Sequence, residues 1–440
     1  MRRFLRLLER EGLVERIRDP VSTEYQAAYL LKMYDGKKAV VLEKVFGYSM
    51  PVVGNLLCSR RSLYLALGVN GDLEAYTKLL DALRRPRPLD RAEPPHYRRV
   101  EDLRQLPILR CYEGEAGPYI TASIVIARDL RRGVLNASIH RMLLLDSKHL
   151  AVRIVPRHLY RMYREAREMG EDLPVAVVIG APPEVYVAAA ASPPYGVFEL
   201  EVANALMNGR LKAFPVGRGL LAPVESEIVI LGRLLKETEA PEGPFTDLTG
   251  TLDVVRMQPV LEVEEILVRE GALYYTILQG GAEHMLMMGF PREVAIWDSA
   301  RRVVPRVGAV RLTRGGCGWL VAVLSIAKHT EGDAKNAILA AFAAHPSLKI
   351  AIAVDEDIDV DNPEDIMWAI ATRMQPEEDL VILRGVRGSS LDPSADQETL
   401  TTSKLGIDAT IPLSKPRQKF LRARIPWPRS ELPSSGRSAE

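Results

Sequence analysis

Cysteine is the first residue type that this sequence has little of. Its 440 residues include three, Cys58, Cys111 and Cys317, and none lies in a CxxC pair. This spacing excludes a disulfide framework and a thiolate metal site, and it fits a protein of the reducing cytosol. Long apolar runs are missing as well, since no window approaches the roughly 18 to 20 residues that cross a bilayer. We therefore expect a cytoplasmic protein.

An excess of charge of one sign is also missing. The chain has 58 Lys and Arg residues against 57 Asp and Glu, which argues against a general nucleic-acid-binding surface and against a polybasic membrane anchor. The expected partners are small molecules and other copies of the chain. Asn and Gln are scarce while Arg, Glu, Leu and Val are abundant, a composition typical of heat-adapted proteins.

Length points to more than one domain, because single hydrophobic cores stop growing at roughly 250 to 300 residues. We expect two or three domains. The apolar residues of 4–17 have near-helical spacing, and 37–45 has the pattern of a strand, so the first part of the chain is predicted to be α/β. The basic, proline-rich segment 84–99 is interpreted as a linker.

The middle of the chain is rich in β-forming residues. Three segments have the pattern of strands: 117–130, 136–145 and 150–156. The first two are joined by a predicted turn at Gly133. Pro156 then opens a predicted helix of about 14 residues that stops at Gly170, and 174–180 is a short buried strand.

Strand and helix patterns alternate in the last third of the chain, which implies βαβ units around a mainly parallel sheet. The acidic run 355–366 lacks the central glycine and the terminal glutamate of an EF-hand, so a strand end and a helix cap at Asn362 are the better interpretation. Cys317 lies in a predicted glycine turn, with no nearby histidine to activate it. Residues 426–440 are predicted to be a loose tail.

Three groups of polar residues are candidates for a site: 136–141, His158 with Glu199, and 241–250. Taken alone, each has an ordinary explanation as an ion-paired arginine, a solvated helix start or a proline-glycine turn. Together, Asn136, His158 and Glu199 offer oxygen and nitrogen ligands that suit Mg²⁺ or Mn²⁺. The helix start at His158 also favours an anion such as a phosphate.

Strand alternation separates the two ends of this candidate site. Asn136 and Arg141 differ in parity, so they do not face the same point unless a bulge intervenes. That arrangement is compatible with a long cofactor whose phosphate lies near Asn136 and whose reactive ring lies near Arg141.

A set of linked segments resembles the UbiD decarboxylase family over about residues 20–415. The segments are GPYIT at 117–121, NASIHR at 136–141, DSKHLAVRIVPRH at 146–158, LPVAVVIGAPP at 173–183, GVFE at 196–199, ESEIVILG at 225–232, EGPFTDLTG at 242–250 and DEDIDVDNPEDIMWAIATR at 355–373. The resemblance implies a multidomain fold, α/β and α+β. Its parts are an N-terminal α/β domain with linker (1–105), a central split β-barrel that binds prenylated FMN (106–300) and a C-terminal α/β domain (301–425).

The resemblance also implies how the cofactor is held. Asn136, His158 and Glu199 match the ligands of a Mn²⁺ or Mg²⁺ ion that binds the phosphate of prenylated FMN, with K⁺ as a further candidate ion. The positions that match flavin-lining segments are Thr121, Ser138, Ile139, His140, Arg141, Arg153, Ile154, Val155, Arg157 and His158.

Three positions match the family's catalytic residues: Arg141, Glu242 and Asp247. The second carboxylate is Asp here where some members have Glu, which shortens its reach by one methylene. Arg157 stands where fungal cinnamate-type members have Gln, so a cinnamate substrate is not expected. Arg141 suits a substrate carboxylate, Glu242 can hold its guanidinium, and Asp247 can return a proton.

The implied reaction is the non-oxidative decarboxylation of an unsaturated acid, with the modified flavin as electron sink. In its compact length and archaeal-looking composition the chain most resembles the archaeal members of the family that act on trans-anhydromevalonate 5-phosphate. That resemblance implies isopentenyl phosphate as product, in an archaeal mevalonate pathway. A flavin prenyltransferase is the expected source of the cofactor, and a dimer or hexamer is the expected assembly. Two alternatives stay open: an aryl-acid decarboxylase of the hydroxybenzoate type, and a flavin-binding electron-transfer protein.

Overall fold

The computed structural model describes residues 1–423, so the predicted loose tail at 426–440 lies outside the described residues. The α-helices are α1 (Arg2–Arg10), α2 (Gln26–Met33), α3 (Arg60–Leu67), α4 (Asp72–Arg84), α5 (His158–Glu168), α6 (Pro183–Ala191), α7 (Glu199–Leu206), α8 (Ala282–Ala300), α9 (Asp333–Ala344), α10 (Pro363–Arg373) and α11 (Pro376–Asp379). Short 3₁₀ turns occupy Leu103–Gln105 and Arg417–Phe420. None of the helices in the described part is long and apolar enough to cross a membrane.

The strands are β1 (Val14–Ile17), β2 (Ala39–Leu42), β3 (Val52–Gly54), β4 (Asp90–Arg91), β5 (Tyr97–Val100), β6 (Tyr119–Ile120), β7 (Ser123–Arg128), β8 (Leu135–Ile139), β9 (Met142–Leu144), β10 (His149–Val152), β11 (Leu173–Ile179), β12 (Lys212–Pro215), β13 (Leu221–Pro223), β14 (Ile228–Glu242), β15 (Phe245–Thr246), β16 (Leu252–Asp253), β17 (Arg256–Arg269), β18 (Tyr274–Tyr275), β19 (Arg306–Leu312), β20 (Val321–Ala327), β21 (Ile350–Asp355), β22 (Leu380–Arg387) and β23 (Thr401–Ala409). Strands and helices thus mix throughout, and the fold is a mixed α/β fold.

The N-terminal part holds a sheet in the order β1-β2-β3-β18. The helix indicated by the near-helical spacing over 4–17 is wrong beyond α1. The helix ends at Arg10, and β1 begins at Val14. Gly12 explains the change: its φ of 71° lies in the left-handed region, where a helix cannot continue. The strand predicted within 37–45 is confirmed, because β2 occupies the middle of that segment.

The segment 84–99 is more than a linker. Within it, β4 pairs in parallel with β12, and β5, which extends to Val100, pairs antiparallel with β17. The proline-rich composition hid these strands because each is short and paired only with residues far along the chain. The first part of the chain is therefore joined to the central sheets by backbone hydrogen bonds.

The central sheet has nine strands in the order β6-β9-β10-β17-β14-β11-β7-β8, with β5 added beside β17. Its strand pairs form an open path, so it is not a closed barrel. β7 and β8 form the predicted hairpin, and Gly133 in the turn has a φ of 74°. Helix α5 starts at His158, two residues after Pro156, and Gly170 follows it with a φ of 75°. Helices α5, α6 and α7 all pack against β8.

The C-terminal sheet has the order β19-β20-β21-β23-β22. Strands β20, β21 and β23 are parallel, but β19 and β22 pair antiparallel at the two edges, so the sheet is less parallel than predicted. Asn362 caps α10 by accepting a hydrogen bond from the Glu364 amide at 3.0 Å, as predicted. Cys317 lies in the expected turn, and burial raises the pKa of its thiol, which disfavours a nucleophile.

Candidate active site

One face of β8 and the residues after it carry a chain of hydrogen bonds. The Ser138 hydroxyl lies 3.1 Å from Asn136 Oδ1 and 2.9 Å from His140 Nε2. His140 Nδ1 lies 2.9 Å from the Arg153 carbonyl oxygen. Burial lowers the pKa of His140 to about 4, so the neutral ring donates from Nδ1 and accepts at Nε2. When Ser138 donates its single proton to His140, Asn136 Oδ1 is left free for a cation.

Glu199, in the first turn of α7, lies at the other end of this series of hydrogen bonds. Its Oε1 accepts from Asn136 Nδ2 at 2.7 Å, and its Oε2 accepts from the Ala137 amide at 2.6 Å. The side chain is buried, and burial raises the pKa of Glu199 to about 8. No cationic side chain in the described residues pairs with this carboxylate, which makes it suited to an added metal ion.

His158, the third predicted ligand, is the first residue of α5. Its ring packs edge-on against Tyr195, with 5.3 Å between ring centroids. In residues 1–423 its imidazole has no hydrogen-bond partner, so neither Asn136 nor Glu199 bonds to it directly. Burial, followed by the charges of Arg157 and Arg161, lowers the pKa of His158. The ring is thus held neutral, which is the form that binds metals.

The donor chemistry at this end of the site fits a hard divalent ion. The structure brings Asn136 and Glu199 together, and it starts the helices of His158 and Glu199 against the strand of Asn136. An amide oxygen, a carboxylate oxygen and a neutral imidazole match Mn²⁺ or Mg²⁺. No group of three or more His, Cys, Asp or Glu residues in the described chain is placed to hold a metal, so the amide of Asn136 is essential to this assignment.

The other end of the site is built around Arg141, which lies between β8 and β9. Its Nε and Nη2 donate to Glu242 at 2.8 and 3.0 Å, and its Nη1 donates to Asp247. The guanidinium also stacks over the Phe245 ring, 4.2 Å from the centroid. Burial opposes the charge of Arg141, but Glu242 and Asp247 outweigh it and raise the pKa of the guanidinium above its usual range. The predicted catalytic set is therefore assembled in one place.

Glu242 and Asp247 lie close together in the sequence, but their side chains differ in exposure to solvent. Glu242 ends β14 and its side chain is fully buried, whereas the Asp247 side chain is 17% exposed. Asp247 lies in the turn between β15 and β16, where its amide donates to the Thr251 carbonyl at 3.0 Å. Glu242 is thus a fixed support for Arg141, and Asp247 is the carboxylate with access to a ligand.

Sequence reasoning missed a third carboxylate on Arg141. Asp253 accepts from Arg141 Nη2 at 3.0 Å and from Arg256 Nη1 at 2.6 Å. It reaches the site because β15 pairs with β16, placing Asp253 opposite Phe245. Each of these strands has two residues, too short for a period to be recognised in the sequence.

His284 is a second residue that the sequence did not single out. It lies in the first turn of α8, and its Nδ1 accepts from the Gly280 amide at 3.2 Å. Burial lowers the pKa of His284, while Asp247 opposes and Arg141 adds to that shift. These electrostatic neighbours place a neutral imidazole beside the Arg141 cluster.

The predicted flavin-lining residues lie mostly just past the ends of β6, β8 and β10, and they have varied partners. Thr121 Oγ1 accepts from the Ile277 amide at 3.0 Å, so its hydroxyl is partly used by the protein. The Ile154 amide donates to Gln258 Oε1 at 2.8 Å. Val155 is exposed, while Ser138 and Ile139 are half-buried.

Arg153 offers a free charge at this end of the site. Its guanidinium has no partner in the described residues. Burial, followed by Arg256 and Arg141, lowers its pKa. An unpaired guanidinium of this kind fits a flavin, whose phosphate or ring carbonyls supply acceptors.

Three family models cover most of the chain. They are described as the N-terminal, Rift-related and C-terminal domains of 3-octaprenyl-4-hydroxybenzoate carboxy-lyase, and they match residues 5–83, 88–282 and 285–409. The chain belongs to the UbiD family of carboxy-lyases. Consecutive models meet between residues 83 and 88 and between residues 282 and 285.

Relatives and solved structures agree with this family. Anhydromevalonate phosphate decarboxylase of Aeropyrum pernix is 47% identical over 92% of each chain. The UbiD-class enzyme HmfF from Pelotomaculum thermopropionicum, solved with FMN, superimposes with a TM-score of 0.93 at 38% identity over 97% of each chain. An evolved dimeric form of HmfF, solved with prFMN, gives a TM-score of 0.90 at 36% identity over 97% of this chain and 96% of that one.

Proposed function

We propose that this protein decarboxylates trans-anhydromevalonate 5-phosphate to isopentenyl phosphate and CO₂, using prenylated FMN. The observation that carries the proposal is the Arg141 cluster, in which one buried guanidinium is held by Glu242 beside the more accessible Asp247. The substrate is taken from the A. pernix relative, whose printed name is that of a decarboxylase of this acid. The place in an archaeal mevalonate pathway follows from that substrate.

Each residue of the cluster has a role in the reaction. Arg141 binds the substrate carboxylate through two N–H groups, while Glu242 keeps the guanidinium in place. The bond from the carboxylate carbon to the neighbouring carbon breaks, CO₂ leaves, and the electron pair stays with the substrate. Asp247, once it has taken up a proton from solvent, gives that proton to the carbon that lost CO₂. Prenylated FMN, when bound, supplies the electron sink that side chains lack.

The cofactor is proposed to lie along β8 within the region 106–300. Asn136, His158 and Glu199 would hold the Mn²⁺ or Mg²⁺ ion that binds its phosphate, with K⁺ as a further candidate ion. The support is Asn136 Oδ1, which keeps a second lone pair beside its contact with Ser138, together with the neutral ring of His158 and the carboxylate of Glu199, which has no cationic partner in the described residues. The flavin-lining role belongs to the same proposal for ten residues: Thr121, Ser138, Ile139, His140, Arg141, Arg153, Ile154, Val155, Arg157 and His158. The domain limits 1–105 and 301–425 belong to it as well.

Two partners follow from this function. A flavin prenyltransferase has to supply the modified cofactor, and the chain is proposed to act as a homo-oligomer, in line with the dimeric form of HmfF.

The test of the proposed function is a comparison of acids on protein loaded with prenylated FMN and Mn²⁺. Equal concentrations of trans-anhydromevalonate 5-phosphate, its dephosphorylated form, cinnamate and 4-hydroxybenzoate are supplied, and CO₂ release is followed. The phosphorylated acid is expected to react fastest. Equal or faster turnover of an aromatic acid would replace the proposal by the aryl-acid alternative.

A further inference from the structure

Glu115 is a buried acid in the turn before β6, and it is only 2% exposed. Its Oε2 accepts hydrogen bonds from the amides of Cys111 and Tyr112 at 3.2 and 3.1 Å. Its Oε1 accepts from the Thr246 amide and from Gln279 Nε2, both at 3.2 Å. All four acceptor positions of the carboxylate are thus used by N–H donors of the protein.

The two bonds of Oε1 reach distant parts of the chain. Thr246 is 131 residues from Glu115 and immediately precedes Asp247. Gln279 is 164 residues from Glu115 and lies just before α8. A local turn is already closed by the two bonds of Oε2, so the bonds of Oε1 serve another purpose. They tie the backbone beside Asp247 to the segment that enters α8.

A direct contact joins the same two segments. Gly280, which follows Gln279, has a φ of 62° and packs against the turn that contains Asp247. A Cβ added at Gly280 would lie 3.3 Å from the Asp247 carbonyl oxygen and 3.6 Å from Gly250 Cα. The turn therefore lies against the segment that Glu115 binds, and movement of one displaces the other.

The Asp247 side chain has few bonds of its own. Its Oδ2 accepts from Arg141 Nη1, and its Oδ1 accepts from the amide of the next residue, Leu248, at 2.7 Å. When a substrate carboxylate displaces Asp247 from Arg141, the Leu248 bond is the one that remains among the described residues. That bond lies within the turn and cannot fix the turn relative to the substrate. The backbone on which Asp247 stands has to be held from outside, and Glu115 does this at Thr246.

A different residue holds the stretch before Thr246. The Tyr119 hydroxyl accepts from the Gly243 amide at 3.1 Å, and the Tyr119 ring packs edge-on against Phe245 with 4.6 Å between ring centroids. Phe245 in turn stacks on the Arg141 guanidinium. Loss of the Glu115 bonds therefore leaves Arg141 with its supports.

We propose that Glu115 is a positioning residue that keeps Asp247 in place for proton delivery. The inference rests on the proposed function, in which Asp247 returns the proton. It adds the residue that holds this acid once Arg141 has turned to the substrate. Since a misplacement of about 1 Å can cost on the order of 100-fold in rate, Glu115 affects turnover more than it affects binding of the acid.

The kinetic test uses full-length, flavin-loaded protein and the substitution Glu115→Gln. This change keeps the size of the side chain but places an NH₂ group opposite two N–H donors. With trans-anhydromevalonate 5-phosphate, kcat is expected to fall on the order of 100-fold, while KM stays unchanged because Arg141 keeps its supports. Glu113→Gln is the matched control, since Glu113 is exposed in the same turn and makes none of these bonds. An unchanged kcat in Glu115→Gln, or a loss confined to KM, would overturn the inference.

Amide hydrogen exchange, followed by mass spectrometry, tests the same contacts without turnover. Exchange in 244–251 is expected to become faster in Glu115→Gln and to stay as in wild type in Glu113→Gln, while exchange in β7 stays unchanged in both. Gln279→Leu removes the other donor to Oε1 and is expected to speed exchange in the same stretch.

Gln279→Leu decides the question if Glu115→Gln does not fold. Unchanged exchange in 244–251 in the folded variants would overturn the inference. If exchange rises as expected but wild-type protein releases no CO₂ from the phosphorylated acid, the proposed function fails and the support of the Asp247 turn by Glu115 stands.

Discussion

At the scale of single residues, Arg141 determines how a ligand can enter. Four of its five N–H groups donate to Glu242, Asp247 and Asp253. A substrate carboxylate that binds through two N–H groups therefore has to displace one of the three. Glu242 is fully buried and accepts two of the bonds, which makes it the hardest to displace. The structure therefore favours displacement of Asp247 or Asp253. A displaced Asp247 is free to take up a proton from solvent and then to act on the substrate as an acid.

The substitution Asp247→Asn tests this role. It removes the ability to donate a proton while keeping the size of the side chain, so the fold and flavin content are expected to persist. Turnover is expected to fall about 10²- to 10⁴-fold, the usual contribution of general acid catalysis. The measurement is kcat with the preferred acid, alongside flavin absorbance.

Asp253→Asn is the control for that substitution, because Asp253 also forms an ion pair with Arg141. If the proton of Asp247 is what matters, Asp253→Asn retains most of kcat and changes mainly KM. Equal losses of kcat in the two variants would show that Asp247 acts only by holding Arg141.

Glu199 leads to a prediction about pH. In the metal-free protein burial raises the pKa of Glu199 to about 8, so the group is protonated at neutral pH and Mn²⁺ has to displace that proton. Affinity for Mn²⁺ is expected to rise about tenfold per pH unit up to pH 8 and then to level off. Calorimetry at several pH values measures it, and Glu199→Ala is expected to lose the metal and to weaken flavin retention.

Glu201→Ala supplies the matched variant on the same helix, because Glu201 makes no bond to Asn136 or Ala137. It is expected to keep stoichiometric metal. Stoichiometric Mn²⁺ and flavin in Glu199→Ala, found by elemental analysis and absorbance, would remove Glu199 from the metal site.

At the scale of elements, the β7–β8 hairpin positions the metal end of the site. Gly133 allows its turn, because a φ of 74° is unfavourable for other residues. Gly133→Ala is expected to cost about 1 kcal/mol of stability, measured by chemical denaturation. Gly315→Ala is the control, since its added Cβ meets no atom within 4 Å and its cost is expected to stay below about 0.5 kcal/mol. Equal costs would mean that the turn is not strained by a side chain.

The elements that could be predicted are those with strong local signals. Helix α10 begins at a proline after an asparagine cap, and the β7–β8 turn carries its glycine. Strand β23 was missed because Thr401–Ala409 has no clear alternation and owes its place to partners on both sides, β21 and β22. Strands β4 and β5 were not predicted for a similar reason, because each is held in place by pairing with a distant strand and not by its local sequence.

At the scale of the whole molecule, the site depends on segments far apart in the sequence. Arg141 and Asp247 are 106 residues apart, and Asn136 and Glu199 are 63 apart. The resemblance to the family predicted that these residues belong to one site. The periodicity of helices and strands could not predict it, because periodicity is a local property of the sequence. Asp253 was missed because nothing local marks it, and the pairing of β15 with β16 brings it to the site.

The central claim is that this chain removes CO₂ from a phosphorylated unsaturated acid only with a modified flavin bound. The most direct measurement compares CO₂ release from trans-anhydromevalonate 5-phosphate by protein loaded with prenylated FMN and by protein loaded with plain FMN, both with Mn²⁺. We predict sustained CO₂ release with prenylated FMN and none above background with FMN, together with one equivalent of isopentenyl phosphate per CO₂. Equal release with both flavins, or none with either although both are bound, would contradict the account.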